Sequence, residues 1–370
     1  MKTVGILTFH SSHNYGSNLL AYASYKVVEK VTKNKYKIEI IDLRTTTRDR
    51  KYSLLKSDFN IKSLGYNIFA LLHFSTFKKR YNKYEGFIKK LLPLSDTEYK
   101  TNDELSKSSN IYDYLISASD QTWNTKAIDF DWSYFLNFTN KSKKIALSNS
   151  IGPRNLKLDN DEKEKVKEAL LEYDFISVRD KATYDMVKDI STKESRLLCD
   201  PTIMLEKEEW LKLINKEKKV AGKYIFFYTL GSNKKMIKFV KNISEKLNMK
   251  VVIATLNNQY EIFSGFDMEL DTGPLDFLNL IYNAELVITS SFHGAVFSTI
   301  LNKPFYIIRR VNDNRTNTLM EMFKLESRLV DYEKDVDFCI DYKNINFEES
   351  EKKIVEERDK ALKYLEDAFK

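Results

Sequence analysis

The sequence predicts an α/β chain made of two parallel-sheet domains, and three observations carry that reading. Short apolar or β-branched runs of strand length alternate with longer stretches of helical period. The alternation runs twice, with a break at Asp200–Pro201. An early and a late strand also pass through a polar turn straight into a helix, the junction where α/β proteins gather their chemistry.

Taken in order, residues 4–9 (VGILTF) form an apolar strand and HSSHNYGSN (10–18) a polar turn. LLAYASYKVVEKV (19–31) is a helix with Leu20, Ala23, Val27 and Val31 on one face. Asn14 and Gly16 can take the positive φ that such a turn often needs, which would leave backbone N–H groups facing a ligand. Strands follow at 36–43, 113–119, 143–150 and 174–179, and Val166, Ala169, Leu170 and Tyr173 mark a helix face before the last of them. The second series has strands at 223–230, 250–256, 285–290 and 304–309. Met236, Phe239, Val240, Ile243 and Leu247 make a helical stripe between the first two. From Glu349 a charged helix aligns Val355, Leu362, Leu365 and Phe369. The expected division is 1–205, 206–348 and a terminal helix 349–370, which either packs back across the junction or sits on the second domain.

Composition narrows the function classes. A chain of 370 residues with 42% hydrophobic and 31% charged residues is ordinary for a globular protein with two cores. Two cysteines, Cys199 and Cys339, and four scattered histidines suggest neither a disulfide framework nor a metal site, and they fit a reducing cytoplasm. No signal-peptide pattern precedes the first strand, so a cytoplasmic location is expected. The net charge of +7 is concentrated in residues 51–90, where nine Lys and Arg face only Asp58 and Glu85. This block includes YNIFALLHF (66–74) and could make peripheral contact with an anionic membrane. The favoured reading is a surface helix packed on the first domain. Without a recognised nucleic-acid module, the charge does not point to nucleic acid.

The stretch VITSSFHGAVFSTILNKPFYII (287–308) places His293 where a strand gives way to a helix start. An imidazole titrates near neutral pH, and the helix's first N–H groups favour an anion. A histidine that merely bonds a neighbour explains the same letters.

Six segments then occur in order and at similar spacing to those of the polysaccharide pyruvyl transferase family. They are TFHSSHNYGSNLLAYA (8–23), SASDQTWN (117–124), YFLNF (134–138), DFISVRDKAT (174–183), LCDPTIML (198–205) and TSSFHGAVFSTILNKPF (289–305). The resemblance implies a GT-B-like arrangement of two Rossmann-like domains. It also implies an enzyme that transfers pyruvate from phosphoenolpyruvate, as co-substrate, to two hydroxyls of a sugar or lipid-linked glycan, forming a ketal and releasing phosphate. No other cofactor and no metal are implied.

Such a donor carries a phosphate and a carboxylate, both suited to a guanidinium. Arg179 matches the arginine of the family's strand-end motif, with a salt bridge to Asp180 or another carboxylate as the structural alternative. Arg315 matches more loosely, with Lys303, Arg309 and Arg310 as competing cations. The resemblance assigns His293 to the site, where it can move the protons that addition to the enol requires. Many family members carry arginine two residues earlier; here the residue is Ser291. Either Arg179 and Arg315 supply the charge, with Ser291 and the N–H of Gly294 as lesser donors, or the substrate has changed. SASDQTWN closes the third strand of the first domain. Its Asp120 and Gln121 suit sugar hydroxyls and Trp123 a pyranose face, while a buried tryptophan explains the same letters. His10 and Tyr15 are further candidate contacts. Two other readings stay open: a glycosyltransferase using a nucleotide sugar, and a non-catalytic glycan-binding protein.

Overall fold

A computed structural model describes residues 1–56, 61–108, 112–255, 259–308, 313–334 and 341–370. Arg309, Arg310 and Cys339 lie outside the described residues. The chain forms two compact units, one of Met1–Leu72, Glu85–Leu205 and Val355–Lys370, the other of His73–Tyr84 and Glu206–Ile354.

The first unit holds a seven-stranded sheet of β1 (Thr3–Leu7), β2 (Lys37–Leu43), β3 (Leu94–Tyr99), β4 (Tyr114–Ala118), β5 (Lys143–Asn149), β6 (Phe175–Val178) and β7 (Arg196–Leu197). Their spatial order is β3-β2-β1-β4-β5-β6-β7 and every pairing is parallel. Val4 of β1 stands between Ile38 of β2 and Tyr114 of β4. The second unit has β8 (Tyr224–Tyr228), β9 (Lys250–Ile253), β10 (Asp267–Met268), β11 (Leu286–Thr289), β12 (Phe305–Ile308) and β13 (Leu329–Val330). They are ordered β10-β9-β8-β11-β12-β13, again all parallel. Both sheets are therefore doubly wound, with strand order reversing between β1 and β4 and between β8 and β11.

The central strands are buried along their whole length, as in YLISA of β4 and YIFFY of β8. In parallel sheets helices cover both faces, so such strands read as continuous apolar runs. The helix Lys234–Leu247 buries Met236, Phe239, Val240 and Ile243, and Leu247 packs against the same core, matching the stripe in the sequence. Asn233 caps that helix by accepting from the Met236 N–H at 2.9 Å.

Several expectations are corrected. β3 was not read from the sequence, so SASDQTWN closes the fourth strand rather than the third. Asn14 is an extended N-cap with φ −130° that accepts from the Ser17 N–H, and Gly16 lies inside the first turn of the helix Tyr15–Val31. Neither takes positive φ. In the terminal helix Phe347–Ala368 the buried face is Ile354, Ala361, Tyr364, Leu365 and Ala368, while Val355 is exposed. Within the first unit Tyr364 donates to the Ala146 carbonyl at 2.8 Å, and Arg358 donates to the carbonyls of Ile203 and Leu205.

Candidate functional site

In the first unit the polar residues at the sheet's switch point are tied together by charge. Ser119 and Asp120, just past β4, have φ of 38° and 54°. Two successive non-glycine residues in this region are strained by an order of about 1–3 kcal/mol each, and such strain clusters at functional sites. The turn brings Asp120 Oδ2 to 2.5 Å from Ser17 Oγ, on the helix that follows β1. The bond spans the two neighbouring strands where the order reverses.

Arg179, at the end of β6, is enclosed. Its side chain is 0% exposed, and its guanidinium donates to Asp200 Oδ2 at 2.6 Å and to Asp120 Oδ1 at 3.4 Å. Asp200 also accepts from the N–H of Thr202 and its hydroxyl. Asp180, the neighbouring carboxylate, is occupied in capping the helix Lys181–Ile190 through the Thr183 N–H. The ion pair that the sequence left open is thus realised with residues 21 and 59 positions away.

Three candidate substrate contacts are core residues instead. Trp123 is fully buried, stacked on Phe135 at 5.4 Å and edge-on to Tyr173 at 5.6 Å, so its ring has no face for a pyranose. His10 is fully buried, with Nε2 2.8 Å from Asp42 and Nδ1 3.2 Å from the Thr8 carbonyl. Tyr15 is likewise buried, at 1% exposure. Gln121, which is half-buried, approaches Gly152, where a Cβ would meet its Oε1 at 2.9 Å; Gly152 also has a φ of +93°, so glycine is required there twice over.

Sequence reasoning missed the network under the first turn. Asp42 binds His10 and Arg44, and Glu85 binds His13 at 3.0 Å, Arg44 at 3.3 Å and Arg48 at 3.2 Å. Arg48 also donates to the Ser11 carbonyl. Burial alone would raise the Glu85 carboxyl, but the His13 hydrogen bond and the Arg44 and Arg48 charges outweigh it and bring it down to about 2. The network fixes the 8–14 turn from outside its own sequence.

In the second unit the switch point carries the histidine. β11 ends at Thr289, and Ser291 caps the helix Phe292–Ile300, its Oγ accepting from the Gly294 N–H at 3.4 Å. Ser291 and Gly294 therefore already serve each other as cap and donor. His293 sits in that helix's first turn at 7% exposure, edge-on to Phe292. Thr229, after β8, meets Ser290 through its hydroxyl at 2.7 Å, bridging the two strands where this sheet's order reverses. Thr289 Oγ1 donates to the Tyr228 carbonyl and accepts from the Ser291 N–H. A Cβ on Gly294 would lie 2.3 Å from that oxygen, which accounts for the His-Gly pair. Arg315 stands over the Phe292 ring at 5.7 Å and is gripped by Asp313 through two bonds of 3.0 and 2.8 Å.

The sequence pattern of the polysaccharide pyruvyl transferase family matches residues 14–311, which include Ser17, Asp120, Thr229 and Ser290. The chain belongs to that family. No curated protein matches it in sequence. Its fold is similar to that of the UDP-GlcNAc 2-epimerase from Methanocaldococcus jannaschii in complex with UDP-GlcNAc and UDP. That match has a TM-score of 0.54 and 15% identity, and covers 96% of this chain and 99% of that one. It is also similar to S. aureus MnaA with UDP, at TM-score 0.56 and 13% identity, covering 95% and 91%. For the epimerase from Neisseria meningitidis bound to UDP-GlcNAc the values are 0.50 and 13%, covering 97% and 100%. At these identities the likeness is one of fold, a GT-B-like fold with two Rossmann-type sheets. The pyruvyl transferase segments named from the sequence supply Ser17, Asp120, Arg179, Asp200, Ser290 and His293. Thr229 and Asp313 fall outside them and were not legible.

Proposed function

We propose that this chain transfers the enolpyruvyl carbons of phosphoenolpyruvate to two hydroxyls of a sugar, on a cell-surface glycan or its lipid-linked precursor. The reading rests on one coincidence: the family's histidine, His293, lies in the first helical turn after the strand at which the second sheet reverses. There the helix's leading N–H groups favour an anion such as the donor phosphate.

In the proposed reaction one sugar hydroxyl adds to C2 of the enol, its proton is taken up, and C3 receives a proton. The second hydroxyl then attacks C2, the bond from C2 to the phosphate oxygen breaks, and the proton of that hydroxyl leaves with the released phosphate. His293 serves as the acid and base for these transfers. Arg315, oriented by Asp313, is assigned to the donor's anionic groups. Arg179 is a positioning residue, holding Asp120 and Asp200, and Asp120 with Gln121 is assigned to acceptor hydroxyls.

A second reading, an enzyme of nucleotide sugars, draws support from the fold neighbours that were solved with UDP or UDP-GlcNAc. One experiment separates the two. The purified chain is heated with phosphoenolpyruvate or with UDP and UDP-GlcNAc, and phosphate release is followed with lipid-linked or aryl glycosides. A ligand at a hundredfold excess over its Kd stabilises by about 2.7 kcal/mol. Stabilisation by phosphoenolpyruvate with acceptor-dependent phosphate release is expected. Stabilisation by UDP alone would replace the proposal with the second reading.

A further inference from the structure

The sequence reading favoured packing the apolar side of the 51–90 segment inward, and the structure shows the opposite for one helix. In Ile61–Leu72 the side turned toward the protein carries Ser63 and Ala70, whereas Leu64, Ile68, Leu71 and Leu72 are 61%, 53%, 58% and 77% exposed. Single exposed apolar residues are ordinary. Four at spacings of four, seven and eight residues from the first form a stripe along one helix face. Phe74, two residues on, is 43% exposed, and Lys78 and Lys79 are exposed as well. From Ile61 to Tyr84 the sequence contains Lys62, Lys78, Lys79, Arg80 and Lys83 and no carboxylate.

We infer that this stripe docks on an anionic lipid surface. A helix of twelve residues is about 18 Å long, too short for a hydrocarbon core of about 30 Å, so it would lie in the headgroup boundary and not cross. Among the described residues no helix is long and apolar enough to cross a membrane. The charge decides between lipid and a second copy of the chain. A two-fold contact would set the exposed Lys78 and Lys79 against the same residues of a second copy, whereas an anionic bilayer attracts both; Lys83 is already paired with Asp271 and Asp276. The inference stands apart from the proposed reaction and would hold for any substrate.

The test is co-sedimentation of the full chain with vesicles of phosphatidylcholine, alone or mixed with phosphatidylglycerol. Binding to the anionic vesicles only, weakened by salt, is expected. Lys78→Gln with Lys79→Gln should lower the partition coefficient by about thirtyfold, on the order of fivefold per charge. Ile68→Glu with Leu71→Glu should abolish binding with unfolding temperature unchanged; should that pair fail to fold, Leu64→Ser with Leu72→Ser gives the same reading more mildly. Equal binding to neutral vesicles, no binding, or binding indifferent to the stripe would overturn the inference. So would a vesicle-free dimer that the stripe variants dissociate, which would make the face a self-association surface.

Discussion

Replacing Arg179 with alanine tests whether the guanidinium is structural or waits for a donor. In the structure its side chain and that of Asp200 are both 0% exposed and 2.6 Å apart, with Asp120, 9% exposed, at 3.4 Å. Alanine leaves Asp200 buried without its counter-ion, although the Thr202 N–H and hydroxyl still reach Oδ1 at 3.0 and 2.6 Å. Removing one member of a buried pair costs about 3–5 kcal/mol, a large share of the roughly 5–15 kcal/mol that holds a typical domain together. The first unit should therefore unfold at much lower urea. Tryptophan fluorescence can follow this, since Trp123 and Trp132 belong to that unit. Because a chain with two units is not bound to unfold in one step, the transition of that unit is the quantity to compare. Adding Asp200→Asn to an Arg179→Met variant should return part of the loss, because the stranded charge goes with it. An Arg179→Ala protein as stable as the parent, but unable to bind phosphoenolpyruvate, would refute the structural assignment and make Arg179 a donor ligand.

Other expectations are equally open to measurement. His293→Gln keeps a polar side chain that cannot titrate, so turnover should fall about 10²–10⁴-fold with the unfolding temperature held; wild-type turnover would remove His293 from the chemistry. Gly294→Ala forces a Cβ to within 2.3 Å of Thr289 Oγ1 and should cost about 1–3 kcal/mol in thermal unfolding, whereas an unchanged midpoint would show that Thr289 has room to move. Glu85, brought from 4.5 down to about 2, contributes stability that is complete above pH about 4.5 and lost as pH falls toward 2. At about 1.4 kcal/mol per pKa unit this is at most about 3.5 kcal/mol, and Glu85→Gln should flatten that acid limb. An acid limb identical in parent and variant would show that the network under the first turn does not contribute it.

What the sequence revealed follows from where each residue sits in its sheet. Nine strands were legible, and the four that were not, β3, β7, β10 and β13, are the four edge strands. Central parallel strands are covered on both faces and must be apolar throughout, but an edge strand can be short and half-wet. β10, for example, is Asp267–Met268 with both residues exposed. The candidate sites divide in the same way. His293 was placed correctly at a helix start because strand and helix adjoin in sequence. Trp123, His10 and Arg179 were ambiguous because their environment comes from Phe135, Asp42 and Asp200, at separations that a local pattern does not encode.

The two switch points share a design and differ in electrostatics, and that difference supports assigning them separate roles. Each joins the segments that follow adjacent strands through a hydroxyl, Ser17 to Asp120 in one unit and Thr229 to Ser290 in the other. In the first unit the surrounding charges are matched inside the protein: Asp120 and Asp200 hold Arg179, while Asp42 and Glu85 hold Arg44, with Glu85 also holding Arg48. Charge neutralised in this way gives a rigid, polar floor that suits uncharged hydroxyls and offers little attraction to a phosphate. The second unit sets a histidine in the first turn of a nine-residue helix, beside an arginine that lies over the ring of the neighbouring Phe292 and is itself paired with Asp313. A helix start, an imidazole and a guanidinium are what an anionic, proton-demanding donor requires. The proposed reaction accordingly assigns the acceptor sugar to the first sheet and phosphoenolpyruvate to the second.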